Sequence, residues 1–321
     1  MAGRRAYVRR RTARDSGADG RARFAFRLLG VVARLCVVLC GGAAAFASDE
    51  PHVTANAAPI FADDERVSLR YECWFGPLRI LEIATESRLT LTDYEVRTEL
   101  RSVGVIGNLF PWVSISESSG RLDDPSREVR PVVYRVESRY RGDTHRIEIR
   151  HTTDGGAVVT LEPPTWLGRL EHVPAAQQNG TVDPLSIVIA LLRANAAQHA
   201  PPERWQMFDG ARLFDLALED HGSAVLEPSK LLPGGGTAHV FEATLRPVAG
   251  LFRKASPTAR EPVHVRYFLT TVLPGVRPMP ALIEMAGARG TLRADLVDAR
   301  TGSTTSVLSL PRLEPELSAP H

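Results

Sequence analysis

Cysteine is scarce in this chain of 321 residues. Of its three cysteines, Cys36 and Cys40 lie in an apolar N-terminal segment, which leaves Cys73 alone in the remainder of the chain. A single cysteine excludes an intramolecular disulfide, so the fold must be held by a hydrophobic core, for which about 270 residues are ample. Cys73 falls on the apolar side of an alternating segment, Val67–Phe75, and we expect a small buried hydrophobe there.

The chain also lacks an apolar run of the about 20 residues that a membrane-spanning helix needs. Its most apolar segment, Leu28–Ala47, is interrupted by Arg34 and follows an arginine-rich stretch. Ala45-Phe46-Ala47 places small residues at positions −3 and −1 of a cleavage site. These features are typical of a secretory signal peptide over residues 1–47, so we expect export with cleavage after Ala47. An uncleaved membrane anchor is the alternative.

Removing residues 1–47 reverses the sign of the net charge. The whole chain has 39 basic and 37 acidic residues, and 29 basic and 35 acidic residues remain without that segment, a formal net charge of about −6. A mildly acidic surface gives no electrostatic footprint for nucleic acid or for a layer of anionic lipid headgroups. We therefore expect no nucleic-acid partner.

Motifs that carry metal or cofactor chemistry are missing. The set that most resembles a metal site is His145, Glu148 and His151. In a strand, at roughly 3.3 Å per residue, the two histidines would lie on the same face but about 20 Å apart, and Glu148 would point to the other face. Gly234-Gly235-Gly236 lacks the lysine of a phosphate-binding loop. We expect no metal and no cofactor.

Motifs for nucleophilic catalysis are missing as well. The chain has no Gly-x-Ser-x-Gly elbow and no Ser-x-x-Lys. His221-Gly222-Ser223, beside Asp220, is interpreted as a polar turn between strands. We expect no catalytic residues, and a triad assembled from distant residues stays open.

Apolar and charged residues alternate from Val67 onward, which is typical of antiparallel strands with one packed face and one wet face. Tyr94, Val96, Thr98 and Leu100, for example, alternate with acids and arginines. The same period recurs in Tyr134–Tyr140, Ile147–Leu161, Phe241–Leu245, Val263–Leu269 and Leu292–Leu296. The pattern predicts a single β-rich domain over residues 65–313, after a leader at 48–64 and before a tail at 314–321.

One segment is predicted to be helical. Asp183 is suited to cap it, Pro184 suits the first helical position, and Leu185–Gln198 is rich in helix formers. An apolar stripe must pack on the sheet, and it consists of Ile187, Val188, Leu191 and Leu192. We expect a mainly β fold, in which a strongly curved antiparallel sheet or incomplete barrel holds this one main helix.

A series of short motifs recurs in a characteristic order. It comprises Val67–Phe75 with Gly76, Tyr94, Ser119-Gly120-Arg121, Pro131, Tyr134, Val182-Asp183-Pro184-Leu185-Ser186, Phe208–Asp215 and Pro247-Val248-Ala249-Gly250. In order and spacing these motifs resemble the family called Domain of Unknown Function 3108, exported proteins of Gram-negative bacteria, over roughly Val67–Val297.

The resemblance implies a periplasmic, β-rich fold broadly similar to the open-barrel carriers of the LolA type, and it brings no established activity. Members of the family often carry one cysteine shortly before the Phe-Asp-Gly element and another near the strand that contains Phe241. This chain has neither cysteine, so the disulfide that the resemblance implies is absent here.

Asp209, Arg212 and Asp215 are candidates for a polar site. They could form a polar cluster where a strand begins, but Asp-Gly is also turn chemistry, because Asp tolerates the left-handed conformation and Gly supplies a positive φ. We favour the turn.

The apolar residues Leu109, Phe110 and Trp112 are a candidate ligand entrance. They belong to Val105–Val113, which fits neither the helical nor the strand period and is either a short helix or a hydrophobic loop. At the mouth of a half-closed barrel they would admit a lipid or a hydrophobic peptide. The alternative is that they fill the barrel as core.

Together these patterns favour an exported periplasmic protein that is not an enzyme and that binds an apolar ligand or another envelope component. Two alternatives stay open. One is a hydrolase acting on an envelope polymer, with a site built from separated Asp, His and Ser residues. The other is a structural scaffold that docks partner proteins through a sheet edge.

Overall fold

The computed structural model describes residues 64–122, 129–163, 170–196, 204–254, 257–274, 276, 278–287 and 290–302, and only the backbone of 191–196 and 257. The predicted signal peptide at 1–47, nearly all of the predicted leader at 48–64 and the predicted tail at 314–321 lie outside the described residues. Among the helices that are described, none is long and apolar enough to cross a membrane.

In the described part of the chain, thirteen strands form one antiparallel sheet. The strands are β1 Glu65–Phe75, β2 Leu78–Leu89, β3 Asp93–Ser102, β4 Trp112–Leu122, β5 Val129–Tyr140, β6 Asp143–His151, β7 Ala157–Glu162, β8 Arg204–Phe208, β9 Leu213–Leu226, β10 Gly236–Ala249, β11 Val263–Thr270, β12 Met279–Gly287 and β13 Gly290–Thr301. The helices are α1 Gly104–Leu109, α2 Ala175–Gln178, α3 Pro184–Ala196 and a 3-10 helix at Pro257–Arg260.

The strand order is β7-β6-β5-β4-β3-β2-β1-β13-β12-β11-β10-β9-β8. Two runs of sequentially paired strands, β1 to β7 and β8 to β13, therefore meet where β1 pairs with β13. The edge strands are β7 and β8, and within the described residues no ladder joins them, so the sheet is not closed. The predicted mainly β fold, with an unclosed antiparallel sheet and one main helix, is confirmed.

Strand alternation sorts residues between the two faces of the sheet as predicted. On β3, Tyr94, Val96, Thr98 and Leu100 are buried, whereas Glu95 and Arg97 are exposed; Glu99, on the same face as those two, is buried as well. The charged residues form ion pairs between neighbouring strands, such as Arg97 with Glu117, Arg135 with Glu148 and Arg146 with Glu137. Exposed pairs of this kind contribute little stability, so the core must carry the fold.

The main helix lies between two halves of the core. In α3, Ile187 belongs to a buried cluster built mainly from β1, β2 and β8 to β13, whereas Leu185 and Ile189 belong to one built mainly from β2 to β6. The sheet therefore curves around α3. Of the predicted apolar stripe, Ile187 is buried and Val188 is half-buried, and the side chains of Leu191 and Leu192 lie outside the described part.

The prediction of a turn at His221-Gly222-Ser223 is wrong. These residues lie inside β9, where two residues of β9 face one residue of β10 in a β-bulge. Gly222 has φ 72°, and its N–H donates to Asp220 Oδ1 at 2.8 Å. The left-handed glycine that suggested a turn serves instead as the bulged residue of a strand that continues.

Cys73 is completely buried on β1, in the core cluster that also contains Ile187. Its predicted role as a buried hydrophobe is therefore confirmed. Burial, together with the nearby charges of Asp295 and Glu72, raises the pKa of the thiol well above its usual range. A thiol in this state is a poor nucleophile, because the thiolate is the reactive form.

Candidate functional site

Helix α1 sits at one rim of the curved sheet and leaves two of its apolar residues, Val105 and Leu109, exposed. Gly104 adopts φ 61°, and a Cβ there would lie 3.1 Å from the Arg79 carbonyl oxygen, so both the backbone conformation and the close approach favour glycine at this turn. Val105 is 66% exposed and Leu109 is 57% exposed. The apolar segment that fitted neither period is thus a short helix followed by a strand.

Ser102, which precedes α1, is hydrogen-bonded to the residues that follow it. Its hydroxyl donates to the Phe110 carbonyl oxygen at 2.9 Å and accepts from the Trp112 N–H at 2.9 Å. Gly107 faces this end of β3, because a Cβ there would lie 2.7 Å from the Ser102 carbonyl oxygen. The sheet therefore contacts α1 along its glycine side, and none of the residues of α1 is fully buried.

The structure separates the three residues of the candidate entrance. Leu109 is exposed on α1, Phe110 is half-buried, and Trp112 is only 9% exposed within the core cluster that contains Ile187. The Trp112 indole N–H donates to the Ser138 hydroxyl at 2.9 Å, which satisfies the one polar atom of its buried ring. Trp112 therefore forms the floor beneath this rim, while Leu109 faces outward.

Leu78 extends the exposed apolar surface. It is the first residue of β2 and is 51% exposed, two positions before Ile80, whose carbonyl accepts the Val103 N–H at 3.0 Å just ahead of α1. We call Leu78, Val105, Leu109 and Phe110 the apolar rim.

Arg141 borders the apolar rim from the β5–β6 hairpin. Its guanidinium lies 5.5 Å from the centre of the Phe110 ring and 5.3 Å from that of Tyr140, and it donates to the Leu109 carbonyl oxygen at 3.3 Å. Arg141 has φ 53° and Gly142 has φ 92°, as the two central residues of a type I′ turn require.

A second polar constellation lies deep inside, at the start of α3. Asp183 Oδ1 accepts the N–H groups of Leu185 and Ser186 at 3.0 Å each, which caps α3 as predicted. Its Oδ2 accepts the hydroxyl of Ser118 at 3.1 Å and the hydroxyl of Ser186. The Tyr94 hydroxyl is hydrogen-bonded to the Ser186 hydroxyl. We call Tyr94, Ser118, Asp183 and Ser186 the anchor cluster.

The anchor cluster is closed to solvent. Asp183 is 0% exposed, and burial raises the pKa of its carboxyl above the usual range although four hydrogen bonds favour the charged form. Burial, reinforced by the charge of Asp183, also raises the pKa of Tyr94. No histidine among the described residues is hydrogen-bonded to this cluster. It positions α3 on the sheet and offers no accessible nucleophile.

Gly120 belongs to the same region, directly opposite Tyr94 across the β3–β4 ladder. A Cβ at this position would lie 2.3 Å from the Arg130 carbonyl oxygen and 2.5 Å from the Tyr94 hydroxyl. The tyrosine side chain therefore crosses over the glycine to reach Ser186. Tyr94, Gly120 and Val182–Ser186, which are distant in sequence, meet here.

The polar candidates Asp209, Arg212 and Asp215 are only partly brought together. Asp209 Oδ1 accepts the N–H groups of Ala211 and Arg212 at 3.0 and 2.7 Å, and its Oδ2 forms an ion pair with Arg212 at 2.6 Å. Asp215 is exposed on β9, where its nearest described partner is Gln206. The first two residues form the turn between β8 and β9, and Asp215 lies apart.

That turn is tucked against the sheet. Gly210 has φ 91°, and a Cβ there would lie 2.3 Å from the Ile147 side chain on β6. The N–H of Phe208 donates to the Val182 carbonyl, and the N–H of Val182 donates to the Gln206 carbonyl, so β8 is tied to the residues that precede α3. The Phe-Asp-Gly element thus links the edge strand β8 to the residues that precede α3 and packs against β6.

Ser118 is a site residue that reasoning from the sequence missed. On β4 the usual alternation is inverted, because Ser114, Ser116 and Ser118 are buried whereas Val113 and Ile115 lie on the outer face. The signal was present as three serines at every second position. Small side chains there leave room for α3, which packs across β4 and β5.

The described residues form neither a metal site nor the Asp-His-Ser site that a hydrolase would need. No group of three His, Cys, Asp or Glu side chains among them is placed to hold a metal ion. His239 Nε2 lies 2.8 Å from Asp220 Oδ1, and Ser223 faces His239 across the β9–β10 ladder, but no hydrogen bond joins this serine to the histidine within the described ranges. An Asp-His-Ser relay is therefore not formed here.

Comparison with known proteins adds a distant likeness. No family model matches the chain. Among solved structures, the chain is similar to a β-barrel-like protein of Domain of Unknown Function DUF1849 from Brucella abortus, with 13% sequence identity and a TM-score of 0.44. The match covers 75% of this chain and 99% of that chain.

Proposed function

We propose that this chain is an exported periplasmic protein without enzymatic activity that binds an apolar ligand, or an apolar part of an envelope component, at the apolar rim. We also propose that it is related to the Domain of Unknown Function 3108 family, on the order of its motifs. The observation that carries the binding proposal is the exposure of Val105 and Leu109 on a helix whose inner side is already occupied by the sheet.

Packing beneath the rim defines where a ligand would lie. Trp112 belongs to the buried core, and the partly buried Ile106 of α1 and Tyr140 of β5 pack against the same cluster, so the space beneath the rim is filled. An apolar chain would therefore lie across the rim, against Leu78, Val105 and Leu109, and would remove their surface from water. Burial of apolar area is the main driving force for such binding, and contiguous exposed apolar residues on a folded protein commonly mark binding sites.

Titration with Nile red, an uncharged apolar dye, tests the site. Leu109→Asp places a charge in the rim at an exposed position, so we expect normal folding and at least about tenfold weaker dye binding, which corresponds to about 1.4 kcal/mol. The matched control is Val225→Asp, because Val225 is 84% exposed on β9 and lies away from α1. Equal dye binding by the two variants would exclude the rim as the site.

Export is tested separately. N-terminal sequencing of protein recovered from a periplasmic extract should give a sequence that begins near Ser48. Recovery of the protein in the membrane pellet with its arginine-rich N-terminus retained would refute this part of the proposal.

A further inference from the structure

We infer that Arg141 makes the apolar rim a site for a single amphiphile that carries an acidic headgroup, a carboxylate or a phosphate, at one end of an apolar chain. The inference rests on the proposed function, because it assigns the headgroup of a ligand whose apolar chain occupies the rim. Three observations support it: the backbone conformation of Arg141, the placement of its guanidinium, and its lack of a described acidic partner.

The backbone at Arg141 is in a conformation that a long side chain disfavours. In the described part of the chain, Arg141 is the one non-glycine residue with a positive φ. Asparagine or glycine fits this position of a two-residue hairpin with less strain, so the turn alone does not account for an arginine. Residues in strained backbone conformations cluster at functional sites, and here the side chain of Arg141 lies over the Phe110 ring at the rim.

The guanidinium of Arg141 is held in place by its contacts, but most of its N–H donors are left for a ligand. The guanidinium lies over the rings of Phe110 and Tyr140, and one of its five N–H donors reaches the Leu109 carbonyl oxygen. The remaining donors lie at an exposed position beside the rim. A planar guanidinium with free N–H edges matches the paired oxygens of a carboxylate or phosphate.

Arg141 differs from its neighbours in having no acidic partner among the described residues. On the adjoining strands Arg139 and Arg146 both bind Glu137 at 3.0 Å, and Arg135 binds Glu148 at 2.7 Å. The charge of Arg141 is therefore available to a ligand whose apolar part lies against Leu109. Since the chain without residues 1–47 is acidic as a whole, its net charge does not favour an anionic membrane surface, and we assign the site to one free amphiphile.

The test measures displacement of Nile red by palmitate, hexadecyl phosphate and hexadecanol, which share one chain and differ in headgroup. The wild-type protein should bind either acid at least about tenfold more tightly than the alcohol. Arg141→Asn keeps a residue that tolerates a positive φ but removes the cation, so it should bind acid and alcohol equally, with the affinity for alcohol unchanged. Arg139→Gln, which removes a paired arginine of the same hairpin, should keep the wild-type preference.

Each other outcome has a distinct meaning. Equal binding of acids and alcohol by the wild-type protein, or a preference that persists in Arg141→Asn, would overturn the assignment of Arg141 while leaving the rim as an apolar site. Equal weakening of acid and alcohol in Arg141→Asn would show that Arg141 only supports the shape of the rim, and would also overturn it. Tight binding to anionic lipid vesicles in preference to free palmitate would replace the amphiphile with a membrane surface. Failure of dye and all three amphiphiles to bind the wild-type protein would refute the proposed function itself.

Discussion

The hydroxyl of Ser118 on β4 donates to Asp183 Oδ2 at 3.1 Å, although 65 residues separate the two in sequence. The bond fastens the first turn of α3 to the inner face of the sheet. Because Asp183 also accepts the two N–H groups that cap the helix, one carboxylate fixes both where the helix begins and where it lies.

Replacing Asp183 tests this double role. Asp183→Ala removes the cap, worth about 1 kcal/mol, and leaves buried hydroxyl groups without their acceptor, so we expect a total loss of about 3 kcal/mol in the free energy of unfolding. Asp183→Asn keeps one acceptor oxygen for the cap and should lose about 1 kcal/mol. Urea denaturation of the three proteins measures both values. A loss below about 0.5 kcal/mol in the alanine variant would mean that the cluster does not anchor α3.

The pH dependence of stability should carry the signature of Asp183. Burial raises the pKa of this carboxyl in the folded state above that in the unfolded chain, about 3.9. The folded protein therefore holds the proton more tightly, and the stability that Asp183 contributes is complete below the unfolded pKa and is lost as the pH rises through the folded pKa. In the Asp183→Asn variant this titration is absent.

The measurement is the difference in free energy of unfolding, wild type minus Asp183→Asn, at a series of pH values from about 4 upward. We expect the difference to fall as the pH rises and then to become constant. Titrations of groups that do not interact with Asp183 are shared by both proteins and cancel, and the series stays below the pH at which Tyr94, whose pKa the Asp183 charge raises, would titrate. A difference that stays constant, or that rises with pH, would show that the folded protein does not raise the pKa of Asp183.

Gly120→Ala should be far more damaging than its single methyl group suggests. The added Cβ would lie 2.3 Å from the Arg130 carbonyl oxygen and 2.5 Å from the Tyr94 hydroxyl, so strand β5 and the tyrosine would both have to move. We expect a loss of about 3 kcal/mol or more in a urea titration. Gly234→Ala is the control, since a Cβ at Gly234 meets no atom within 4 Å, and it should remain within about 0.5 kcal/mol of wild type. Similar stabilities of the two variants would contradict the close approach.

Trp112→Asp distinguishes a core residue from an entrance residue. At 9% exposure, a carboxylate at this position would be buried among apolar side chains, which costs several kcal/mol and should unfold the protein or prevent its accumulation. Trp112→Phe keeps most of the apolar area but loses the bond to Ser138, so we expect a loss of about 2 kcal/mol in thermal or chemical denaturation. Normal melting of Trp112→Asp would instead place Trp112 at a solvated entrance.

The local features of the fold were predictable from sequence. The alternation at Tyr94–Arg101 depends only on the period of a strand, and the start of α3 depends on the cap formed by Asp183 and Pro184, so both were found without any partner. The helix begins at Pro184 as predicted, and its backbone is described as far as Ala196, short of the predicted end at Gln198.

Features that depend on a distant partner were not predictable. Ser118 became a site residue only because α3 packs over β4, and Leu109 and Trp112, three residues apart, were separated into surface and core by the path of α1. The bulge at Gly222 requires β10 beside it, since the same residues would form a turn in isolation. The residue pattern of one strand does not indicate which other element will pack beside it.

The pairing of β1 with β13 also determines when the exposed edge of β1 becomes paired during synthesis. Val67 lies opposite Thr301 and Phe75 opposite Leu292, so one flank of β1 is covered by the last strand of the described chain. During synthesis from the N-terminus, β1 therefore has one unpaired edge until β13 has been made. Unpaired edges of this kind recruit strands from other chains. The interval between the appearance of the first strand and the last is thus the period in which aggregation competes most directly with folding.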